Sequence, residues 1–212
     1  MYKKNKFKIV RQAITPQLAE FCYTYLLTKR RVARFFFDSK WISPFAAEWG
    51  VWNDKQSPNT YCIYGDALTD TLLAQLCEKI EKETGYKLQE NYSYARIYKT
   101  GDVLHRHTDR SSCEVSATLN LGGEPWPIYI DPTGKKGQAG ISVDLTPGDI
   151  LLYSGCDLEH WREAFPGKQC GQLFLHYNDK SKPSSKDLKY DTRPFLGLPG
   201  AFRGVKLNSP KK

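Results

Sequence analysis

From residue 92 to residue 177 the sequence breaks into short runs, each closed by glycine or proline, and this punctuation limits the fold more than any other feature. Residues 92–98, 103–109, 114–121, 126–130, 142–145, 149–153 and 169–177 alternate or run apolar at lengths suited to strands and too short for helices. Between them stand Lys99-Thr100-Gly101-Asp102, Gly122-Gly123, the stretch 131–140, Thr146-Pro147-Gly148 and Phe165-Pro166-Gly167-Lys168. Many short strands joined by such turns predict a β-sandwich or jelly roll.

The part before residue 90 reads differently. Residues 7–10 look like a first strand, and Thr15-Pro16 then supplies an N-cap and a first helical residue. Leu18, Phe21, Tyr25 and Lys29 follow at helical spacing and predict a helix to about Arg30. Residues 31–60 read as irregular, with Trp41, Trp49 and Trp52 among Pro44, Gly50 and Pro58, and aromatics buried under a loop are the expectation there. A second helix over about 66–84 carries the stripe Leu68, Leu72, Leu76 and Ile80 and stops at Gly85. Both helices read as buttresses, so the class is α+β. One domain over 1–212 is expected: helical support to about 88, a β core over 90–180, and a tail over 181–212 whose segment 193–200 packs back.

Composition excludes several classes. With 40% apolar and 13% aromatic residues the chain can build a core, and no apolar run approaches a membrane span. The start is basic but lacks the apolar stretch of a secretory signal. Six cysteines without a CxxC or paired spacing read as free thiols, which places the chain in the cytoplasm. The net charge of +8 raises a nucleic-acid partner. That reading is not favoured, because much of the excess sits at the two ends and no basic helix is visible.

The chemistry concentrates in His107-Thr108-Asp109 and one distant partner, His160. On an extended strand, side chains two residues apart point the same way, ~6.6 Å apart at Cα, so His107 and Asp109 can meet on one ion while Thr108 faces away. Two histidines and one carboxylate occupy one face of an octahedral Fe(II) and leave the other open. Only four histidines exist, and His105, His107 and His160 fall in the two segments such a site needs. The competing view is a hydrogen-bonded surface pair and a loop-capping His160.

Residues 90–180 resemble the Fe(II)/2-oxoglutarate-dependent dioxygenases, in the prolyl 4-hydroxylase-like branch. The resemblance implies a double-stranded β-helix, metal ligands His107, Asp109 and His160, and Fe(II), 2-oxoglutarate and O2 as cofactor and co-substrates. It implies that Tyr98, nine residues before the first ligand, contacts the distal carboxylate of 2-oxoglutarate. The basic partner that the family carries about ten residues after the distal histidine is missing, since position 170 is Cys. Lys168 and Arg162 both remain candidates for that anchor. Arg would grip a carboxylate bidentately and Lys would act as a point charge. His105 and His176 read as lining or supporting groups, Arg110 as a neutraliser of substrate charge or a partner of Glu114, and Trp126, Tyr129 and Trp161 as wall or core. The implied activity is hydroxylation of a C–H bond, first in a peptidyl proline or similar peptide or amino acid. Rivals are a small-metabolite hydroxylase, a nucleic-acid oxidative demethylase, and a non-enzymatic metal- or ligand-binding β-barrel. No membrane partner is expected.

Overall fold

The computed structural model describes residues 2–43 and 45–206. A short helix α1 (Tyr2–Asn5) and strand β1 (Phe7–Val10) precede the long helix α2 (Pro16–Asp38). Then come β2 (Tyr61–Tyr64), α3 (Ala67–Thr84), β3 (Leu88–Lys99), β4 (Leu104–His107), β5 (Val115–Gly123) and β6 (Ile128–Ile130). The last strands are β7 (Ile141–Val143), β8 (Ile150–Ser154), β9 (His160–Arg162) and β10 (Gln169–Asp179). They form two sheets, ordered β1-β8-β5-β10-β3-β2 and β4-β9-β6-β7, with every pairing antiparallel. Two such sheets with helices against one of them make a double-stranded β-helix with helical buttresses.

Side-chain parity divides the interior. Ala95 and Ile97 of β3, Ala117 and Leu119 of β5, and Leu173 and Leu175 of β10 face the helices in one apolar cluster. The alternate residues Arg96, Tyr98, Ser116, Gln172 and His176 face the space between the sheets and are buried there. In β8, Ile150 and Leu152 join the helix-side cluster, while Leu151 and Tyr153 join the one between the sheets. Burial on both faces explains its unbroken apolar run.

Both predicted helices are present, with Thr15 accepting from Leu18 N–H and Asp66 from Leu68 N–H as N-caps, and Gly85 in the left-handed conformation after α3. Helix α2 departs from expectation twice. It continues to Asp38, because nothing between Arg31 and Asp38 breaks a helix. Its buried face is Ala19, Cys22, Leu26 and Ala33, whereas Leu18 is 40% and Phe21 61% exposed. Small residues let the helix sit close to the sheet and turn the larger ones outward. The stretch after α2 is also less irregular than read, since Val51 bridges Cys62 and β2 begins at Tyr61. All six cysteines are unpaired, and no helix among the described residues is long and apolar enough to cross a membrane. Arg193, in the tail, is buried and bonds Asp70 in α3.

Candidate metal centre

His107 ends β4 and His160 begins β9, and the two are directly paired across the small sheet. Asp109 lies two residues past the strand, where its N–H bonds Gly155 C=O at 2.8 Å. His107 Nε2 and His160 Nε2 each stand 3.5 Å from Asp109 Oδ1, and the three donor atoms lie within 4.8 Å of one another. Cis ligands about 2.1 Å from one ion stand ~3 Å apart, so a small side-chain rotation closes the set.

The surroundings fix which atoms face inward. His107 Nδ1 meets His105 C=O at 2.7 Å and His160 Nδ1 meets Leu158 C=O at 3.1 Å. A carbonyl only accepts, so each Nδ1 carries the proton and each Nε2 presents a lone pair to the site. Ser116 donates to Asp109 Oδ2 at 2.7 Å, which leaves Oδ1 for the histidines. A Cβ on Gly155 would collide with Asp109 Oδ2 and Ser116 Oγ, so glycine is what allows this close approach. Burial alone would raise the Asp109 pKa, but His107 and His160, which when protonated can donate from Nε2 to this carboxylate, outweigh it and hold the carboxyl well below its usual range. Burial likewise pulls His107 down, and Asp109 with the His105 carbonyl reverses the direction to a net rise. The donor set, two neutral-capable imidazoles and one carboxylate on one side of an open space, fits an octahedral divalent iron.

That space is a cavity of about 290 Å3 bounded by the three donors and by Tyr94, Arg96, Phe174 and His176. Deeper between the sheets lie Tyr98 and Arg162, both packed on Trp126 at 4.8 and 4.9 Å. Arg162 is 1% exposed, yet its acceptors are the Trp126 carbonyl and Gln172 Oε1, and its Nε has no partner. Burial lowers its pKa, with Cys170, Tyr98 and Tyr153 as its nearest electrostatic influences. A guanidinium enclosed without a carboxylate is costly, and an entering anion would relieve that cost.

Lys168 is elsewhere. It precedes β10, its side chain is exposed, and its backbone N–H bonds Glu124 Oε1. The inward row of β10 is Cys170, Gln172, Phe174 and His176, without Lys168. The His105 side chain points to solvent while its carbonyl holds His107. His176 lines the cavity and bonds Ser116 Oγ through Nδ1. Arg110 pairs with Asp191 in the tail rather than with Glu114. Tyr129 and Trp161 stack on each other on the small sheet, with Arg106 over Trp161.

Several groups escaped the sequence reading, Ser116 and Tyr94 among them. Arg96, one strand step from Tyr98 on the same face, lines the cavity and donates to Tyr98 OH at 3.1 Å, to Asp54 at 2.6 Å and to Gln56 at 2.7 Å. An arginine in phase with an inward tyrosine was the available signal for it. Asp54 and Gln56 come from the loop before β2, and nothing in their local pattern marks them.

No family model and no curated protein matches the chain. Solved structures do. A Pseudomonas putida prolyl 4-hydroxylase superposes with TM-score 0.59 at 14% identity, over 84% of this chain and 95% of that one. HygX from Streptomyces hygroscopicus, with nickel, 2-oxoglutarate and hygromycin B bound, gives 0.59 at 12% identity over 90% and 93%. The viral collagen prolyl hydroxylase of Paramecium bursaria Chlorella virus-1, a 2-oxoglutarate complex, gives 0.54 at 9% identity over 82% and 97%. At these identities the likeness is one of architecture: the chain has the double-stranded β-helix fold of the 2-oxoglutarate/Fe(II) oxygenases.

Proposed function

We propose that this chain is a single-domain Fe(II)- and 2-oxoglutarate-dependent oxygenase that hydroxylates a C–H bond and releases succinate and CO2. The observation that carries the reading is the meeting of His107 Nε2, Asp109 Oδ1 and His160 Nε2 at the edge of a cavity. These three atoms would hold the iron. The iron would supply the coupling of 2-oxoglutarate decarboxylation to O2 activation.

The chain's own residues supply geometry and charge. Arg162 anchors the distal carboxylate of 2-oxoglutarate with Tyr98 beside it, since its buried charge lacks an acidic partner. It takes over, from β9 in the facing sheet, the part that a basic residue at position 170 of β10 would play. Lys168 is exposed in the turn before β10, on the outside of the sheet pair, and the anchor therefore falls to the buried Arg162. Ser116 keeps Asp109 Oδ2 occupied so that one carboxylate oxygen binds. Tyr94 and Phe174 help to wall the cavity, which limits water around the reacting atoms.

The substrate is a peptide or a small molecule. A prolyl residue in a peptide comes first, supported by the two prolyl hydroxylases that share the fold. A small metabolite is the second reading, supported by the hygromycin B held by HygX. Six unpaired thiols favour a reducing, cytoplasmic setting. The test is succinate release from 2-oxoglutarate with proline-rich peptides and small molecules as candidates. Substrate-dependent release that vanishes in Asp109→Ala and His160→Ala, both still folded by circular dichroism, supports the assignment. Near-normal turnover in either variant overturns it.

A further inference from the structure

The outer side of the six-stranded sheet carries a second concavity of about 620 Å3, between α2 and the adjoining parts of β2, β3 and β10. Ile97 lines it while its neighbour Arg96 lines the metal-site cavity, so the two hollows lie on opposite faces of one sheet. Arg30, Arg31 and Arg34 reach this groove from α2 and Lys99 from β3, and no acidic residue among the described ones lines it.

The four cations are not equally committed. Lys99 is held by the buried Asp102. Arg34 pairs with Asp38 at 3.0 Å in solvent, an exposed pair readily exchanged for another anion. Arg30 is half-buried and donates to the neutral Gln169 Oε1 at 2.6 Å. Arg31 stands next to it and meets no acid among the described residues. Arg30 and Arg31 are thus the two cations of this groove that meet no acid among the described residues.

Aromatic surface adjoins them. Phe35 follows Arg31 by four residues, so both lie on one strip of α2, and Phe35 is 62% exposed. Guanidiniums without an acid, those of Arg30 and Arg31, beside the open ring of Phe35 suit a chain that offers both phosphates and unstacked bases. An acidic peptide would satisfy the charges and leave the ring unused, and a duplex keeps its bases stacked. We propose that this groove binds single-stranded nucleic acid. The sequence showed no basic helix because α2 was expected to stop at Arg30. Its continuation puts Arg31, Arg34 and Phe35 in one place.

The test needs neither iron nor 2-oxoglutarate, so it stands apart from the oxygenase assignment. Fluorescence anisotropy of a labelled oligothymidylate titrated with the full chain should show binding at low salt. With three arginines on phosphates, log K should fall against log salt with a slope of about −2. Arg30→Glu with Arg31→Glu should weaken binding at least ~10-fold, while Lys4→Glu with Lys82→Glu, the same charge change elsewhere, should alter it less than ~2-fold. Phe35→Ala should weaken binding to the oligonucleotide and leave competition by polyphosphate unchanged. No binding at low salt, equal losses in the two charge pairs, or displacement by polyglutamate as effective as by unlabelled oligonucleotide each overturns the proposal. Should the double arginine variant misfold, Arg31→Glu alone decides, since that side chain is exposed. Unchanged affinity in it counts against the groove.

Discussion

Gln56 Nε2 lies 3.1 Å from His107 Nε2, on the lone pair that a bound ion would use. The orientation of the amide is set from its other end, where Gln56 Oε1 accepts from Arg96. His107 Nδ1 already donates to His105 C=O, so the amide N–H is the donor in the contact with Nε2. A loop residue thus competes with metal for one of its three donors. Removing it should help the ion: Gln56→Ala is expected to raise affinity for Mn(II) about fivefold, the worth of one hydrogen bond of ~1 kcal/mol. Isothermal titration of the metal-free chain reads this directly. Weaker binding in the variant would mean that the amide supports the ion instead.

Arg162 offers a separation of binding from stability. Its charge is enclosed among Trp126, Gln172, Tyr98 and Cys170 without an acid, so the folded protein bears a desolvation cost that Arg162→Met removes. The variant is expected to be at least as resistant to urea as the parent. Its KM for 2-oxoglutarate should rise ~10- to 100-fold, the loss of one charge-assisted contact of about 1.5–3 kcal/mol. Lys168→Ala should change neither quantity. A normal KM in Arg162→Met would remove the guanidinium from co-substrate binding.

These two residues mark how far the sequence is legible. The pair His107 and Asp109, two apart, and a distant His160 were readable because the ligand set constrains type and spacing together. Strand β8 and helix α3 were readable because their apolar periods are strong. Arg162 came into view only as one of two alternatives, since its direction depends on β9 pairing with both β4 and β6. Gln56 and Arg96 are 40 residues apart in the chain and meet through tertiary packing alone. The outward turn of Leu18 and Phe21 was hidden for a related reason: helical spacing gives a period, and which face is buried depends on how closely the sheet approaches.

His176 sets the behaviour of the metal-free protein in acid. It is buried, and desolvation lowers its pKa to about 4, with Asp109 opposing only in part. The unfolded value is about 6.5, so between these limits the unfolded chain takes up a proton that the folded one refuses. The group's contribution to stability is therefore intact above about pH 6.5 and is lost as pH falls toward 4, by up to about 3 kcal/mol. Asp109, depressed below its usual range, acts in the same direction at lower pH, and His107, raised, acts in the opposite one. Urea midpoints at pH 7 and pH 5 should differ clearly in the parent and much less in His176→Asn. Equal pH dependence in both would assign the acid limb to another group.

The tail is fastened by a buried ion pair whose loss should reach the metal site. Arg193 Nη1 and Asp70 Oδ2 are 2.9 Å apart and both side chains are buried. Asp70 also accepts from Ser93 N–H at 2.9 Å and Gly197 N–H at 2.7 Å, while Arg193 Nη2 donates to Asn91 C=O at 3.0 Å. One pair thus ties the tail to α3 and β3. Arg193→Met strands the Asp70 carboxylate and should cost about 3–5 kcal/mol in urea denaturation, and adding Asp70→Asn should recover part of that. Asp191, two residues before Arg193, grips Arg110 through both carboxylate oxygens, at 2.8 and 2.7 Å, and Arg110 adjoins Asp109. A loosened tail therefore frees the residue beside the carboxylate donor, and Mn(II) affinity should fall in Arg193→Met under conditions where the protein remains folded. Full stability in that variant would show that the tail rests on the body without supporting it.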